Sequence, residues 1–305
     1  LCPIFQNCTI MKKLLASLLA VTALVSCSKS GDDNNTYIAE GTFPKKIVAK
    51  SPSGRVQHET TYTIQGGKIL YLESIEYEVT GETRRTQQTL TYNGELPQKT
   101  THVSAREKYT EEYQYEGGKL TKTTRTYEGN TRSTITTYTY EGSQLRKMVK
   151  EEPLNSNEGP KAQVTEDEFN YAGNQITVNT NTYIRDTQGL KTGNELSSKV
   201  YTIENENLIK VERSGVVLKE YTYDDKPNAN ALKLAQKLKP DYFLYNSFSR
   251  NNVLTEKVRY TPGGSQNIYR NAYTYNEKGY VKEEKRYTQD ENGAETLDYT
   301  QEYTY

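Results

Sequence analysis

The chain has no tryptophan, five phenylalanines, three cysteines and two histidines in 305 residues, set against 27 tyrosines. Each shortage closes off a class of protein. Two histidines and few cysteines leave little material for zinc or iron–sulfur clusters. Apolar residues make up only 33% of the chain and mean hydropathy is −0.89. The core must therefore be thin and built largely from tyrosine. Basic and acidic groups balance at 39 each. That balance argues against nucleic acid as a partner, since nucleic-acid binders show a clustered basic excess.

The one long apolar run lies near the start. Residues 11–27 read Met-Lys-Lys-Leu-Leu-Ala-Ser-Leu-Leu-Ala-Val-Thr-Ala-Leu-Val-Ser-Cys. Lys12 and Lys13 form a positive n-region, Leu14 to Leu24 an apolar core, and Ser26 a small residue at a cleavage point. This is a secretory signal. The apolar core is too short to span the bilayer, which takes about 20 residues. Residues 1–10, which include Cys2 and Cys8, are expected to be an upstream extension. Removal of residues 1–26 takes away two lysines, leaving 37 basic and 39 acidic groups, a net charge near −2. The remaining cysteine is Cys27, so disulfides and thiol catalysis are not expected in the mature domain. Residues 27–40, with Ser28-Lys-Ser-Gly-Asp32-Asp33-Asn-Asn35, read as a polar tether.

A repeated unit fills residues 41–305: aromatic-x-aromatic, a turn, then an aliphatic residue and often lysine. Instances include Leu90-Thr-Tyr92-Asn-Gly94-Glu-Leu96, Tyr113-Gln-Tyr115-Glu-Gly-Gly118-Lys-Leu120, Tyr138-Thr-Tyr140-Glu-Gly-Ser-Gln-Leu145 and Phe169-Asn-Tyr171-Ala-Gly-Asn-Gln-Ile176. Residues two apart share one face of a strand, and Tyr and Thr are strand formers. Glycine at the turn supplies the positive φ of a tight hairpin. The pattern predicts an all-β fold: an extended, twisted antiparallel sheet of repeated hairpins, each unit packed on its neighbours. One segment departs from it. Ala231, Leu234, Ala235 and Leu238 recur at helical spacing before Pro240. They predict a short inserted helix over 229–239, capped by Asn228 or Asn230 and burying Leu234 and Leu238.

Four resemblances follow from these motifs. Leu24-Val25-Ser26-Cys27 resembles the lipobox of bacterial lipoproteins, which implies diacylglycerol on the Cys27 thiol and membrane attachment through it. Asp32 and Asp33 resemble the acidic export signal of Bacteroidetes lipoproteins, which implies display on the outer face of the outer membrane. The repeat, clearest in Tyr275-Asn-Glu-Lys-Gly279-Tyr-Val281-Lys282 with Asp290-Glu-Asn-Gly293 after it, resembles the tyrosine-aspartate repeats of RHS-type proteins. Tyr221-Thr-Tyr-Asp-Asp-Lys-Pro-Asn228 followed by Phe248-Ser-Arg-Asn251-Asn252-Val253 resembles uncharacterised Bacteroidetes outer-membrane lipoproteins built from such repeats. No RHS core or toxin domain follows, so a toxin-shell role is not implied.

Chemistry-bearing constellations are sparse. His58 and His102 sit in alternating text and read as solvated strand positions. There is no Gly-x-Ser-x-Gly elbow, P-loop, dinucleotide fingerprint or His-Glu-x-x-His helix. Glu111-Glu112, Glu166-Asp167-Glu168 and Glu283-Glu284 could supply a hydrolytic carboxylate pair, but on strands their alternate side chains face opposite ways. Asp224-Asp225 with Asn228 could hold calcium; a turn before proline is the preferred reading. No catalytic residue, metal or cofactor is therefore expected, and the chain reads as a non-enzymatic, surface-displayed lipoprotein with a binding or envelope-structural role. The remaining candidate is the aromatic stripe. Tyr92, Tyr115, Tyr140 and Tyr171 occupy one position in successive units, and the choice is between sheet core and an exposed platform for a glycan or an envelope protein. Core packing is the preferred reading.

Overall fold

The computed structural model describes residues 38, 41–129, 132–154, 161–229, 238–261, 263–290 and 292–305. In chain order the strands are β1 (Lys46–Lys50), β2 (Val56–Gln65), β3 (Lys68–Tyr77), β4 (Thr83–Asn93), β5 (Leu96–Ser104) and β6 (Lys108–Glu116). Next come β7 (Lys119–Tyr127), β8 (Ser133–Glu141), β9 (Gln144–Leu154), β10 (Lys161–Ala172), β11 (Gln175–Asp186) and β12 (Lys191–Glu204). The last six are β13 (Asn207–Arg213), β14 (Val216–Pro227), β15 (Asn251–Arg259), β16 (Gln266–Tyr275), β17 (Val281–Gln289) and β18 (Glu295–Thr304). Every strand pairs antiparallel with the next in sequence, as the hairpin text predicts.

The sheet is not open. β1 lies between β2 and β18, with Ile47 opposite both Thr60 and Tyr303, so the eighteen strands form a closed barrel. This corrects the expected extended sheet. The physical reason is that neighbouring strands are rotated by about 20–25°, so a long sheet coils. Closure then removes two edges of unmet backbone groups. A five-residue strand makes this closure between chain ends some 250 residues apart, and no local pattern reports it.

The repeat chemistry sets the wall. Gly66 and Gly67, and Gly117 and Gly118, all have positive φ, as a two-residue primed hairpin turn demands. Asn205 and Glu206 adopt the same conformation without glycine. Just past these turns the register shifts by one residue, at Thr63/Ile64, Gln114/Tyr115, Thr139/Tyr140 and Thr202/Ile203. The bulge places residues three apart on the same face: Ile69 with Leu72, Leu120 with Thr123, Leu145 with Met148 and Leu208 with Val211. An aliphatic residue after the turn thus meets the aromatic pair of the preceding strand.

The connection from β14 to β15, residues 228–250, identifies the interior. Ala229 and Leu238 pack with Ile69, Leu72 and Leu90 on one wall, whereas Phe243 and Leu244 pack with Phe169, Ile176 and Val178 on another. Only a segment crossing the lumen reaches both, so the tyrosine face is the inner face. Ala229 and residues 238–250 plug one end of the barrel. Leu238 is helical and half-buried, while residues 230–237, the body of the expected helix with Leu234, lie outside the described residues. Asn228 is buried, its amide donating to the Ser247 and Ser249 carbonyls. Two 3-10 turns, Tyr242–Leu244 and Asn246–Phe248, complete the connection; sequence periodicity does not anticipate them.

The outer face is mainly polar, with scattered aliphatic side chains such as Ile75, Ile135, Val149 and Val164. Thr110, Glu112 and Gln114 of β6, Lys122, Thr124 and Thr126 of β7, and Thr137 and Thr139 of β8 all point away from the lumen. Leu120 on the inner face is 2% exposed, so Leu120→Ala should lower unfolding free energy by about 2–5 kcal/mol. Thr124→Ala on the outer face should stay within about 0.5 kcal/mol. Thermal or denaturant unfolding checks this pair, and equal losses would contradict the assignment of faces.

Candidate functional site

The plugged end is lined by a girdle of tyrosines, because aromatic-x-aromatic pairs gather at that end. Tyr92, Tyr115, Tyr140 and Tyr171 are all half-buried and face inward. Tyr92 packs in the cluster that contains Leu90 and Phe43, and Tyr140 and Tyr171 in the one that contains Leu145 and Phe169. The hydroxyls follow a repeated scheme. Tyr92 donates to the Ile69 carbonyl at 2.8 Å, Tyr140 to Leu120 at 2.8 Å and Tyr305 to Val281 at 3.0 Å. Tyr223 donates likewise to Leu208. In each case the second tyrosine of one unit is tied to the aliphatic residue of the unit before it.

A cation beside the turn completes this scheme. Lys68 donates to the Gly94 carbonyl and lies 5.7 Å from the Tyr92 ring centre. Lys119 does the same to Gly142 and Tyr140, at 5.5 Å from the ring. Arg146 stands 5.3 Å from the Tyr171 ring. Ring faces that could stack on a ligand are thus partly occupied by cations of the chain itself.

Further along the lumen the wall carries two polar networks. On one side His102 stacks on Tyr109 at 4.5 Å, Gln88 meets His102, and Arg125 pairs with Glu111, whose carboxylate also accepts from Tyr113. His58 meets Ser74 nearby. The reading of both histidines as solvated is corrected here: His102 is buried and His58 faces inward, because their alternation places them on the tyrosine side. Burial pushes both imidazoles below their ordinary pKa, and they stay neutral at pH 7. On the other side Arg286 pairs with Glu256, while Glu284 accepts from Tyr299 and Tyr303. Burial raises the Glu284 carboxyl above the usual range.

The acidic runs divide as strand alternation requires. Glu111, Asp167 and Glu284 face inward, and Glu112, Glu166, Glu168 and Glu283 outward. Lys147 pairs with Glu166 and Glu168, Lys99 with Glu112, and Lys285 with Glu283. Asp224 accepts from the Lys226 and Asn252 backbone N–H groups, the Asn252 amide and the Tyr275 hydroxyl, tying down the base of the plug. Asp225 points to solvent beside Lys226. Among the described residues, no group of three or more His, Cys, Asp or Glu side chains is placed to hold a metal. Cys27 lies outside the described residues.

A feature absent from the sequence reading is a shallow groove of about 530 Å³ on the outer face of β10–β12, bordered by Glu166, Glu168, Asn179, Asn181, Leu196 and Ser198.

No family model and no curated protein matches the chain. Among solved structures the chain is similar to a porin-like protein from Bacteroides uniformis, at 12% identity and TM-score 0.44, covering 86% of this chain and 97% of that one. It is also similar to a porin-like protein from Bacteroides vulgatus, at 13% identity and TM-score 0.38, covering 86% and 98%.

Desolvation of the girdle has a pH signature. Burial pushes the Tyr140 and Tyr171 phenols from 10.0 up to about 12. A raised phenol binds its proton longer in the folded chain than in the unfolded one, so its contribution to stability is complete below pH 10 and is lost as pH rises to about 12. Unfolding midpoints should be flat between about pH 8 and 10 and fall steeply above that range. In Tyr140→Phe the hydroxyl bond to Leu120 is lost, at a cost of about 1 kcal/mol, and the alkaline fall should be shallower. An alkaline limb unchanged by the substitution would contradict the role given to this phenol.

Proposed function

We propose that the protein is a lipid-anchored outer-membrane protein without catalytic activity, whose barrel stands in water at the end of its tether and serves a binding or envelope-structural role. The polar outer wall carries this reading. A membrane-spanning barrel presents an outward apolar band about 25 Å tall. Here threonine, lysine, arginine, glutamate and glutamine predominate outward, with apolar side chains such as Ile75, Val103, Ile135, Val149 and Val164 scattered among them. Ion pairs such as Arg85 with Glu73, Lys147 with Glu166 and Arg185 with Glu151 interrupt that apolar surface. Lipid attachment at Cys27 then supplies the membrane affinity that the wall lacks, and Asp32 and Asp33 direct the protein to the cell surface. Among binding roles, a glycan platform at Tyr92, Tyr115, Tyr140 and Tyr171 is the weaker choice, because Lys68, Lys119 and Arg146 already cover three of those rings. A carboxylate-based hydrolase is weaker still, since the inward-facing Glu111, Asp167 and Glu284 are each hydrogen-bonded within the wall.

Fractionation of cells tests the anchor. The wild-type protein should sediment with membranes and Cys27→Ala should move to the soluble fraction; a variant that stays with membranes would overturn the proposal. Asp32→Ala with Asp33→Ala should keep the protein on the membrane but hide it from protease added to intact cells.

A further inference from the structure

The barrel wall has one unequal step. β12 runs for 14 residues while β13 runs for 7, and β13 pairs only with residues 200–204 of β12. Residues 191–199 pair with β11 on one side, and among the described residues no strand pairs with the other. The hairpin therefore rises above the rim with a bare edge. The Ile203 N–H bonds to the Asn174 carbonyl on the β11 side, and the register between the two strands is unbroken from Thr202 to Glu195. Backbone groups alternate in direction along a strand. The N–H and C=O groups of Leu196 and Ser198 consequently point to the free edge, and a bulge at Gly193, whose φ is +69°, ends the regular ladder beyond Glu195. Leu196 is 78% exposed and Leu190, at the tip, 64%. An exposed edge of this kind is a template for another strand.

The geometry points to a second copy of this chain as the occupant, joined through antiparallel pairing around Leu196 of β12. The charge pattern selects the register. With the two-fold axis at Glu195, that glutamate would face its own copy, a like-charge contact that destabilises a pair. One residue further along, Leu196 faces Leu196 of the second copy and Glu195 faces Ser197 on either side of it. Glu195 then lies diagonal to Lys199 of the second copy, within reach of a long side chain. The exposed leucines bury each other on the outer face.

Ile38 lies at the plugged end, its N–H bonded to the Gly67 carbonyl, while the bare edge is at the opposite rim. Antiparallel strands put the two plugged ends on opposite sides of the joint. Two copies so paired fit between facing membranes rather than side by side on one, which makes the contact an adhesive one between surfaces. This step rests on the lipid anchor proposed above; the pairing does not. A ladder this short is a small interface and weak alone, but many copies on two facing surfaces act together.

Sedimentation velocity on the full-length lipidated chain in detergent tests the pairing. The wild-type chain should shift with concentration from the protomer mass to twice that mass. Leu196→Lys and Leu196→Pro should remain at the protomer mass with unchanged melting temperature, since the Leu196 N–H is not used toward β11. A wild-type protein that is monomeric throughout, or a dimer that survives both substitutions, would overturn the inference. The arrangement across surfaces is read from lipid vesicles carrying the protein: wild type should cluster them and raise turbidity, and Leu196→Lys should not. A soluble dimer whose vesicles stay dispersed would contradict the arrangement. Failure of the wild-type chain to bind vesicles at all would count against the anchor while the sedimentation result still decides the pairing.

Discussion

A phenol in a protein core needs a hydrogen-bond acceptor, and this fold depends on supplying one to ring after ring. With so few leucines, valines, isoleucines and phenylalanines, tyrosine has to provide the buried area. Its hydroxyl then costs about 1–3 kcal/mol wherever it is left unpaired. The carbonyl of the preceding unit's aliphatic residue meets this need at Tyr92, Tyr140, Tyr223 and Tyr305. The same contact fixes the spacing of adjacent hairpins, so side-chain satisfaction and wall geometry are a single constraint.

The consequences run outward. When tyrosines and aliphatics occupy the inner positions, the alternate positions are left largely to threonine and charged residues, with single aliphatics such as Ile75, Ile135 and Val149 between them. Its ends differ. Aromatic pairs gather at one rim, so that rim is aromatic and can hold the plug to which Ala229 and residues 238–250 contribute. The other rim has longer connections and the tall β10–β12 hairpin. Between the two, the inner wall switches to paired charges such as Arg125 with Glu111 and Arg286 with Glu256. A lumen of this kind is held by neighbouring strands and by the plug.

Local features of this architecture were readable in the text. Asn93-Gly94 and Gly117-Gly118 mark turns because only positive φ closes a two-residue hairpin, and Tyr-x-Tyr marks an inner face because side chains alternate. What escaped reading was long-range or depended on a single inserted residue. Closure by β1 joins Ile47 to Tyr303, a pairing invisible to any window. The bulges that bring Leu72 and Met148 onto the same face as Ile69 and Leu145 follow from turn geometry rather than composition. His58 and His102 were misplaced for a related reason: their alternation was recognised, but which face was the interior became clear only once the plug tied Leu90 and Phe169 to the same lumen.

Which face of the wall meets water is directly measurable, because the chain has no native tryptophan. A single tryptophan introduced as Thr137→Trp on the outer wall, in membrane-anchored protein, should emit at long wavelength, be quenched by aqueous acrylamide and be untouched by brominated lipid acyl chains. Blue-shifted emission quenched by the brominated lipids would place the wall in the bilayer and contradict the account.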